Sequence, residues 1–288
     1  MSRIEKSLQK ALEVRESVKN TIDEKMVITE DRQDFTLPKF EIGESIIKID
    51  TVDKHIICLT DPFSPAAEQY KKLHVRIFRS TVKDFINTIM ITSPGVGEGK
   101  TITATNLAVS MANEIDHTVL LVDADLKHPS IHKYLGIESK YGLSDYLMGK
   151  VKLQDILIKT GVGKLVFLPA GTSAENTTEL MSSQRMKRLV YELKHRYKDR
   201  YIIFDSPPLL VTADSLSMCS YMDGIVFVIQ ASKTTQKAAL HAVSLIKGHN
   251  ILGVVFNNVP KDFAKNLYPY YYESEKYYKR AKNNKETE

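Results

Sequence analysis

Ile89-Met90-Ile91-Thr92-Ser93-Pro94-Gly95-Val96-Gly97-Glu98-Gly99-Lys100-Thr101 is the stretch whose reading decides the fold. An apolar run stops at a small polar pair, and three alternating glycines follow. Gly-Lys-Thr then opens Ile102-Thr103-Ala104-Thr105-Asn106-Leu107-Ala108, which reads as a helix. This is the strand, loop and helix of a P-loop nucleotide site. Glycines let backbone N–H groups turn toward a phosphate, and the helix N-terminus adds its positive dipole end. On this reading Gly95, Val96, Gly97, Glu98, Gly99, Lys100, Thr101 and Ile102 cradle the phosphates. Lys100 reaches the β- and γ-phosphates, and the Thr101 hydroxyl ligates Mg²⁺. One departure is visible: the strict pattern wants glycine where Pro94 stands.

Outward from this loop, short apolar runs alternate with helical patterns. Strands are expected at 118–122, 164–168, 201–204, 224–229 and 251–256, with helices at about 144–147, 184–196, 213–220 and 235–247. Continuous apolar strands between helices point to a parallel sheet covered on both faces, so the expected fold is α/β, doubly wound and mostly parallel. Before the P-loop, Ser64-Pro65 precedes a helix over 66–80 that carries Glu68, Lys71, Lys72, His74, Arg76 and Arg79. The spacing of Ile4, Leu8, Ala11, Leu12 and Val18 predicts an amphipathic helix near the N-terminus. A polar linker follows, with one short strand expected at 45–49. The expected division is 1–50 for the helix and linker, 51–265 for the P-loop domain and 266–288 for a tail.

Three acidic strand ends accompany the loop. Val122-Asp123-Ala124-Asp125 sets two carboxylates just past one strand, and Phe204-Asp205-Ser206-Pro207-Pro208 sets a third past another. Ligands of open parallel sheets bind beyond the carboxyl ends of the strands. Carboxylates converging there repel each other unless a cation joins them, and Mg²⁺·ATP supplies one. The competing reading for Asp123 and Asp125 is helix capping. After the last strand, Asn257 is placed to contact the nucleotide base.

Composition narrows the class. The chain has 288 residues, 43% of them hydrophobic, and a net charge of +5. Two cysteines, Cys58 and Cys219, make no disulfide framework and fit a reducing compartment. No apolar run is long enough to span a membrane and no signal core opens the chain, so a cytoplasmic protein is expected. Nucleic acid is disfavoured by the mild charge and the lack of a recognition motif. Basic residues from Arg185 to Arg200 read as a solvated face, with docking of acidic groups as the alternative. The end of the chain differs from the rest: Tyr268, Tyr270, Tyr271, Tyr272, Tyr277 and Tyr278 are six of the fourteen tyrosines, set among Lys and Glu without an apolar period.

Taken together, Ser93–Thr101, Leu120–Asp125, Ile202–Pro208 and the tyrosine-rich tail resemble the bacterial tyrosine kinase family, P-loop relatives of the MinD/ParA ATPases associated with capsule and exopolysaccharide synthesis. The resemblance covers about residues 60 to 280. It implies ATP-dependent autophosphorylation of the six tail tyrosines, with Lys100, Asp123, Asp125 and Asp205 catalytic, and Thr101, Asp123 and Asp205 around Mg²⁺. Asp123 is the favoured proton acceptor. It further implies a homo-oligomer, an activating transmembrane polysaccharide chain-length regulator that holds the protein at the inner face of the membrane, and a counteracting tyrosine phosphatase. Two positions depart from the pattern. Lys127 replaces an arginine after Asp125, which removes a bidentate fork. Glu68, Lys71 and His74 stand where many members carry Glu-x-x-Arg-x-x-Arg for ring assembly. The rival readings are a MinD/ParA-like ATPase without kinase activity, against which Gly95 argues because that branch has a lysine there, and a regulatory subunit phosphorylated by another kinase.

Overall fold

The computed structural model describes residues 47–82, 86–114, 117–196 and 200–260. The expected N-terminal helix and the tyrosine-rich tail lie outside the described residues.

Seven strands form one sheet: β1 (Thr88–Thr92), β2 (Thr118–Asp123), β3 (Ile158–Lys159), β4 (Leu165–Leu168), β5 (Arg200–Asp205), β6 (Gly224–Gln230) and β7 (Ile251–Asn257). Their order is β3-β4-β2-β5-β1-β6-β7. All neighbours run parallel except β3, which is antiparallel to β4. Every residue of β1, β2, β4 and β5 is buried, as expected of parallel strands covered on both faces.

The helices are α1 (Ile57–Thr60), α2 (Pro65–Thr81), α3 (Lys100–Ala112), α4 (Ile131–Leu135), α5 (Leu143–Leu147), α6 (Thr177–Ser182), α7 (Gln184–Arg196), α8 (Ala213–Cys219) and α9 (Gln236–Leu245). Ser64 caps α2 by accepting the Ala67 N–H at 3.2 Å, with Pro65 in the first turn where its missing N–H costs nothing. The P-loop helix α3 is buried at twelve positions. Asn106 on α3 accepts the Cys58 N–H at 2.9 Å and donates to the His55 carbonyl at 2.9 Å, which fastens the segment before α2 to the central helix. One core cluster joins Ile77 of α2 and Leu107 and Met111 of α3 to Ile89, Leu121, Ile203 and Val228 of the sheet. Each such side chain contributes roughly 1.5–3 kcal/mol on burial.

Two expectations are corrected. Within 45–49, the described residues form no strand: Ile49–Thr51 is a turn of 3₁₀-helix, and Ile47 is tied to the domain through the Thr160 carbonyl at 3.3 Å. Arg200 is not on a solvated face; it opens β5, buried, with Nε donating to the Thr118 hydroxyl at 3.1 Å.

Candidate active site

The strand order brings the three motifs together. β5 lies between β2 and β1, so the loop after β1 and the acidic ends of β2 and β5 open side by side at the carboxyl edge. Asp123 and Asp205 are register partners across β2 and β5, and Ile91 is opposite Asp205 across β1 and β5. The loop after β5 also ties itself to the P-loop: the Leu209 and Leu210 N–H groups donate to the Ser93 and Pro94 carbonyls at 2.8 and 3.1 Å.

The P-loop itself turns through Gly97 (φ +70°) and Gly99 (φ +93°) before α3 begins at Lys100. Both conformations favour glycine. A Cβ on Gly99 would also collide with the Asn257 amide, whose Nδ2 donates to the Glu98 carbonyl at 3.0 Å. Asn257, expected at the nucleotide base, is thus engaged on the loop. Val96 is exposed at the rim, and Glu98 is folded inward with Oε2 accepting the Gly95 N–H at 2.7 Å.

Lys100 is buried and points at the carboxylates. Its ammonium donates to Asp125 Oδ2 at 2.9 Å and to the Thr101 hydroxyl at 3.2 Å, and lies 3.5 Å from Asp205 Oδ1. Burial works against the lysine charge, but Asp205 and Asp125 outweigh it and hold the pKa above the usual lysine value. Asp125 spends its other oxygen on the His128 N–H at 3.1 Å. Asp123 divides its roles. Oδ2 accepts the Ser130 and Ile131 N–H groups, both at 3.1 Å, and so caps α4 as the capping alternative had it. Its Oδ1 is buried without a hydrogen-bond partner, as are both oxygens of Asp205.

Asp123 Oδ1 and Asp205 Oδ2 have no hydrogen-bond partner and Asp205 Oδ1 has only the Lys100 ammonium at 3.5 Å, an arrangement that is costly unless more positive charge meets it. Burial, then the neighbouring Asp205, pushes the Asp123 carboxyl up to about 8. Burial likewise raises Asp205, partly offset by Lys100. This donor set fits a hard divalent cation, which takes one or two carboxylates, a hydroxyl such as that of Thr101, phosphate oxygens and water.

Lys127, the departure from arginine, reaches Asp214 Oδ2 at 3.7 Å. Asp214 is buried and also accepts the hydroxyls of Thr177, at 2.9 Å, and Thr178. Of the pre-P-loop triad, Glu68 and Lys71 pair at 3.3 Å, while His74 is buried, with Nδ1 4.0 Å from Glu114. On α7, Arg185 stacks over the Tyr146 ring at 4.7 Å and Lys194 pairs with Asp223. That basic stretch is partly committed to its own domain. Sequence reading missed Asp214 and Lys233 as parts of the site's surroundings, and it placed Glu98 in the loop without its inward contacts to Gly95 and Thr234. An aspartate following a strand-end Pro-Pro, in Thr212-Ala213-Asp214 at the start of a helix, was the available signal for Asp214.

A loop of this geometry on a doubly wound parallel sheet, with buried acids on the flanking strand ends, defines a P-loop ATPase-like domain. Residues 86–251 match the AAA domain family. Over 208 residues the chain is 35% identical to the tyrosine-protein kinase YwqD of Bacillus subtilis (strain 168), covering 72% of this chain and 86% of that protein. Among solved structures it is similar to the chimerical protein CapA2B2 (TM-score 0.68, 29% identity, 75% of this chain and 93% of that one). It is similar also to the kinase domain of the Escherichia coli tyrosine kinase ETK (TM-score 0.68, 27% identity, 72% and 80%). The chain belongs to the bacterial tyrosine-protein kinase family.

Proposed function

We propose that this protein transfers the γ-phosphoryl group of ATP, with Mg²⁺, to tyrosine hydroxyls of its own C-terminal cluster, Tyr268, Tyr270, Tyr271, Tyr272, Tyr277 and Tyr278, and that this autophosphorylation regulates capsular or exopolysaccharide synthesis and export. The observation that carries the reading is the juxtaposition of the orphaned oxygens of Asp123 and Asp205 with the Lys100 ammonium at the foot of a glycine-rich loop. Phosphoryl transfer asks the protein for alignment and charge neutralisation more than for covalent chemistry.

In this reading the loop amides from Gly95 to Thr101 bind the phosphate oxygens. Lys100 exchanges its contact with Asp125 for the transferring group. Thr101, Asp123 and Asp205 would hold Mg²⁺, which would supply neutralisation of the developing phosphate charge. A tyrosine hydroxyl, with a solution pKa of about 10, must give up its proton as it attacks. Asp123, whose Oδ1 has no hydrogen-bond partner, is the acceptor we favour for that proton, while Asp125 spends one oxygen on the His128 N–H.

Partners follow from the family. We place the protein at the inner face of the membrane in an oligomer, engaged by the cytoplasmic end of a membrane-spanning chain-length regulator and reset by a tyrosine phosphatase. No described helix is long and apolar enough to cross a membrane. Incubating the purified protein with Mg²⁺ and ATP and mapping phosphotyrosine by mass spectrometry tests the reading, with Lys100→Met as control. Phosphate on the tail tyrosines, absent from the control, is the expected result. ATP hydrolysis without phosphotyrosine would overturn the kinase in favour of a MinD/ParA-like ATPase.

A further inference from the structure

The loop between β6 and α9, Ala231-Ser232-Lys233-Thr234-Thr235, grips the P-loop in a way that none of the nucleotide motifs requires. The Lys233 ammonium donates to the Val96 carbonyl at 2.8 Å and to the Gly97 carbonyl at 3.0 Å. The Thr234 hydroxyl donates to Glu98 Oε1 and itself accepts the Gln230 N–H at 2.9 Å. The second Glu98 oxygen holds the Gly95 N–H, and Asn257 holds the Glu98 carbonyl. Asn257 is joined to the same loop, because its carbonyl accepts the Ala231 N–H at 2.9 Å. Ser232, next to the lysine, sits at φ +60°, an uncommon conformation for a residue with a side chain. A Cβ on Gly97 would stand 2.8 Å from the Lys233 ammonium, so glycine there makes room for it.

The consequence lies on the opposite side of each peptide plane. In a trans peptide the C=O and the N–H point in opposite directions. Lys233 fixes the planes joining Val96 to Gly97 and Gly97 to Glu98, and Asn257 fixes the plane joining Glu98 to Gly99. The N–H groups of Gly97, Glu98 and Gly99 therefore face away from the clamp. Among the described residues none of the three has a hydrogen-bond acceptor. Three consecutive free amides in a loop whose carbonyls are all occupied form a prepared concavity for an anion. A cation on the carbonyl side also polarises the peptide and strengthens its N–H as a donor.

We propose that Lys233 is a positioning residue of the nucleotide site, acting through the Val96 and Gly97 carbonyls to aim the loop amides at the triphosphate. The proposal rests on the reading of this loop as the ATP site. Its signature is a loss of nucleotide affinity without loss of fold, because the lysine is exposed. The test uses the full chain carrying Lys233→Met, Lys233→Arg or Lys100→Met. It measures dissociation constants for a fluorescent ATP analogue with Mg²⁺, thermal midpoints without nucleotide, and KM and kcat for ATP. Lys233→Met should raise Kd and the KM for ATP about tenfold, roughly 1.4 kcal/mol, while kcat at saturating ATP and the nucleotide-free midpoint stay near wild type. Lys233→Arg, which can still donate to both carbonyls, should recover most of the affinity.

Binding by Lys233→Met within twofold of wild type, while Lys100→Met loses it, overturns this inference alone. Normal binding by Lys100→Met instead removes the site reading, and the inference with it. A fall in the nucleotide-free midpoint that matches the lost affinity and is not rescued by arginine would assign Lys233 to maintenance of the fold, and would likewise overturn the proposal.

Discussion

Asp145 and Asp205 are both aspartates without exposed surface, Asp205 the deeper of the two, in opposite electrostatic situations. Asp145, on α5, is fully provided for. Its oxygens accept the Gly142 N–H at 3.1 Å, the Thr172 N–H at 3.0 Å and the Thr172 hydroxyl at 2.6 Å, with Lys150 at 3.8 Å. Burial pushes its pKa up, but the Thr172 and Gly142 hydrogen bonds outweigh burial and leave the carboxyl below its ordinary value. Neither Asp205 oxygen has a hydrogen-bond partner, the Lys100 ammonium stands 3.5 Å from Oδ1, and burial still raises the pKa. The same lack of exposed surface thus accompanies a structural anchor in one place and a candidate site in the other. What separates them is whether the protein itself completes the hydrogen bonding.

That contrast can be broken most decisively at the site. Asp205→Asn should lower the rate of tail phosphorylation at least about 100-fold, the scale of losing charge positioning in a transition state. The thermal midpoint of the metal-free protein should stay level or rise, because a repelling buried carboxylate is gone. A lowered midpoint with activity retained would reverse the two assignments. At Asp145 the opposite is expected. Asp145→Asn should cost about 1–3 kcal/mol of stability in denaturant unfolding, since the amide keeps one acceptor oxygen of two and sets an NH₂ where the other met a buried donor, with the KM for ATP unchanged. A loss under about 0.5 kcal/mol would show that the anchor is not one.

How far the sequence alone separated these residues depends on what surrounds each. Asp123, Asp125 and Asp205 were legible because each ends an apolar strand, and the strand positions followed from uninterrupted β-branched runs. Their adjacency was not legible, since strand order is a property of the whole sheet. Asp145 sits in Gly142-Leu143-Ser144-Asp145, where an acid three residues past a glycine hinted at a capping arrangement, but its partner Thr172 is remote in sequence. Helices of five or six residues, α4 and α6, and the two-residue β3 are too short to show a period. Lys233 escaped notice because a lysine in a polar loop looks solvated until the fold lays it against the P-loop.

The comparison sharpens with pH. The folded pKa of Asp145 is below its unfolded value of about 3.8, so its contribution is present above that value and lost as pH falls through the folded pKa. Asp123 is the reverse. Between 3.8 and about 8 the folded metal-free protein holds a proton that the unfolded chain has released, so stability should decline as pH rises through that window. Thermal midpoints from pH 3 to 9 in chelator should show an acid limb that flattens in Asp145→Asn and a decline toward pH 8 that flattens in Asp123→Asn. Unaltered profiles in both variants would remove the electrostatic distinction.

The smallest effect belongs to the surface. Lys71, exposed and paired with Glu68 at 3.3 Å, should change stability by no more than about 0.5 kcal/mol when replaced by alanine. A sedimentation measurement beside it would separate that from any role of α2 in assembly: altered molar mass with unchanged stability would place the residue at a contact between copies.

The pairing of Asp123 with Asp205 has a consequence for how the chain can change. β2 and β5 are apolar on both faces, so sliding one strand past the other by a single residue would bury nearly as much hydrocarbon as before. It would also turn an aspartate out of the site, because successive side chains alternate between faces. The hydrophobic core is nearly blind to this error, and the polar ends must be the guard against it. At the far end of the same two strands Thr118 is paired with Arg200, whose Nε donates to the threonine hydroxyl, and the neighbouring Tyr201 hydroxyl meets Thr81 of α2 at 2.8 Å. These contacts act as a gauge set one strand-length away from the chemistry. A lineage can exchange the valines and isoleucines between them freely, but it cannot add or drop a residue in either strand without moving the gauge and the acids together.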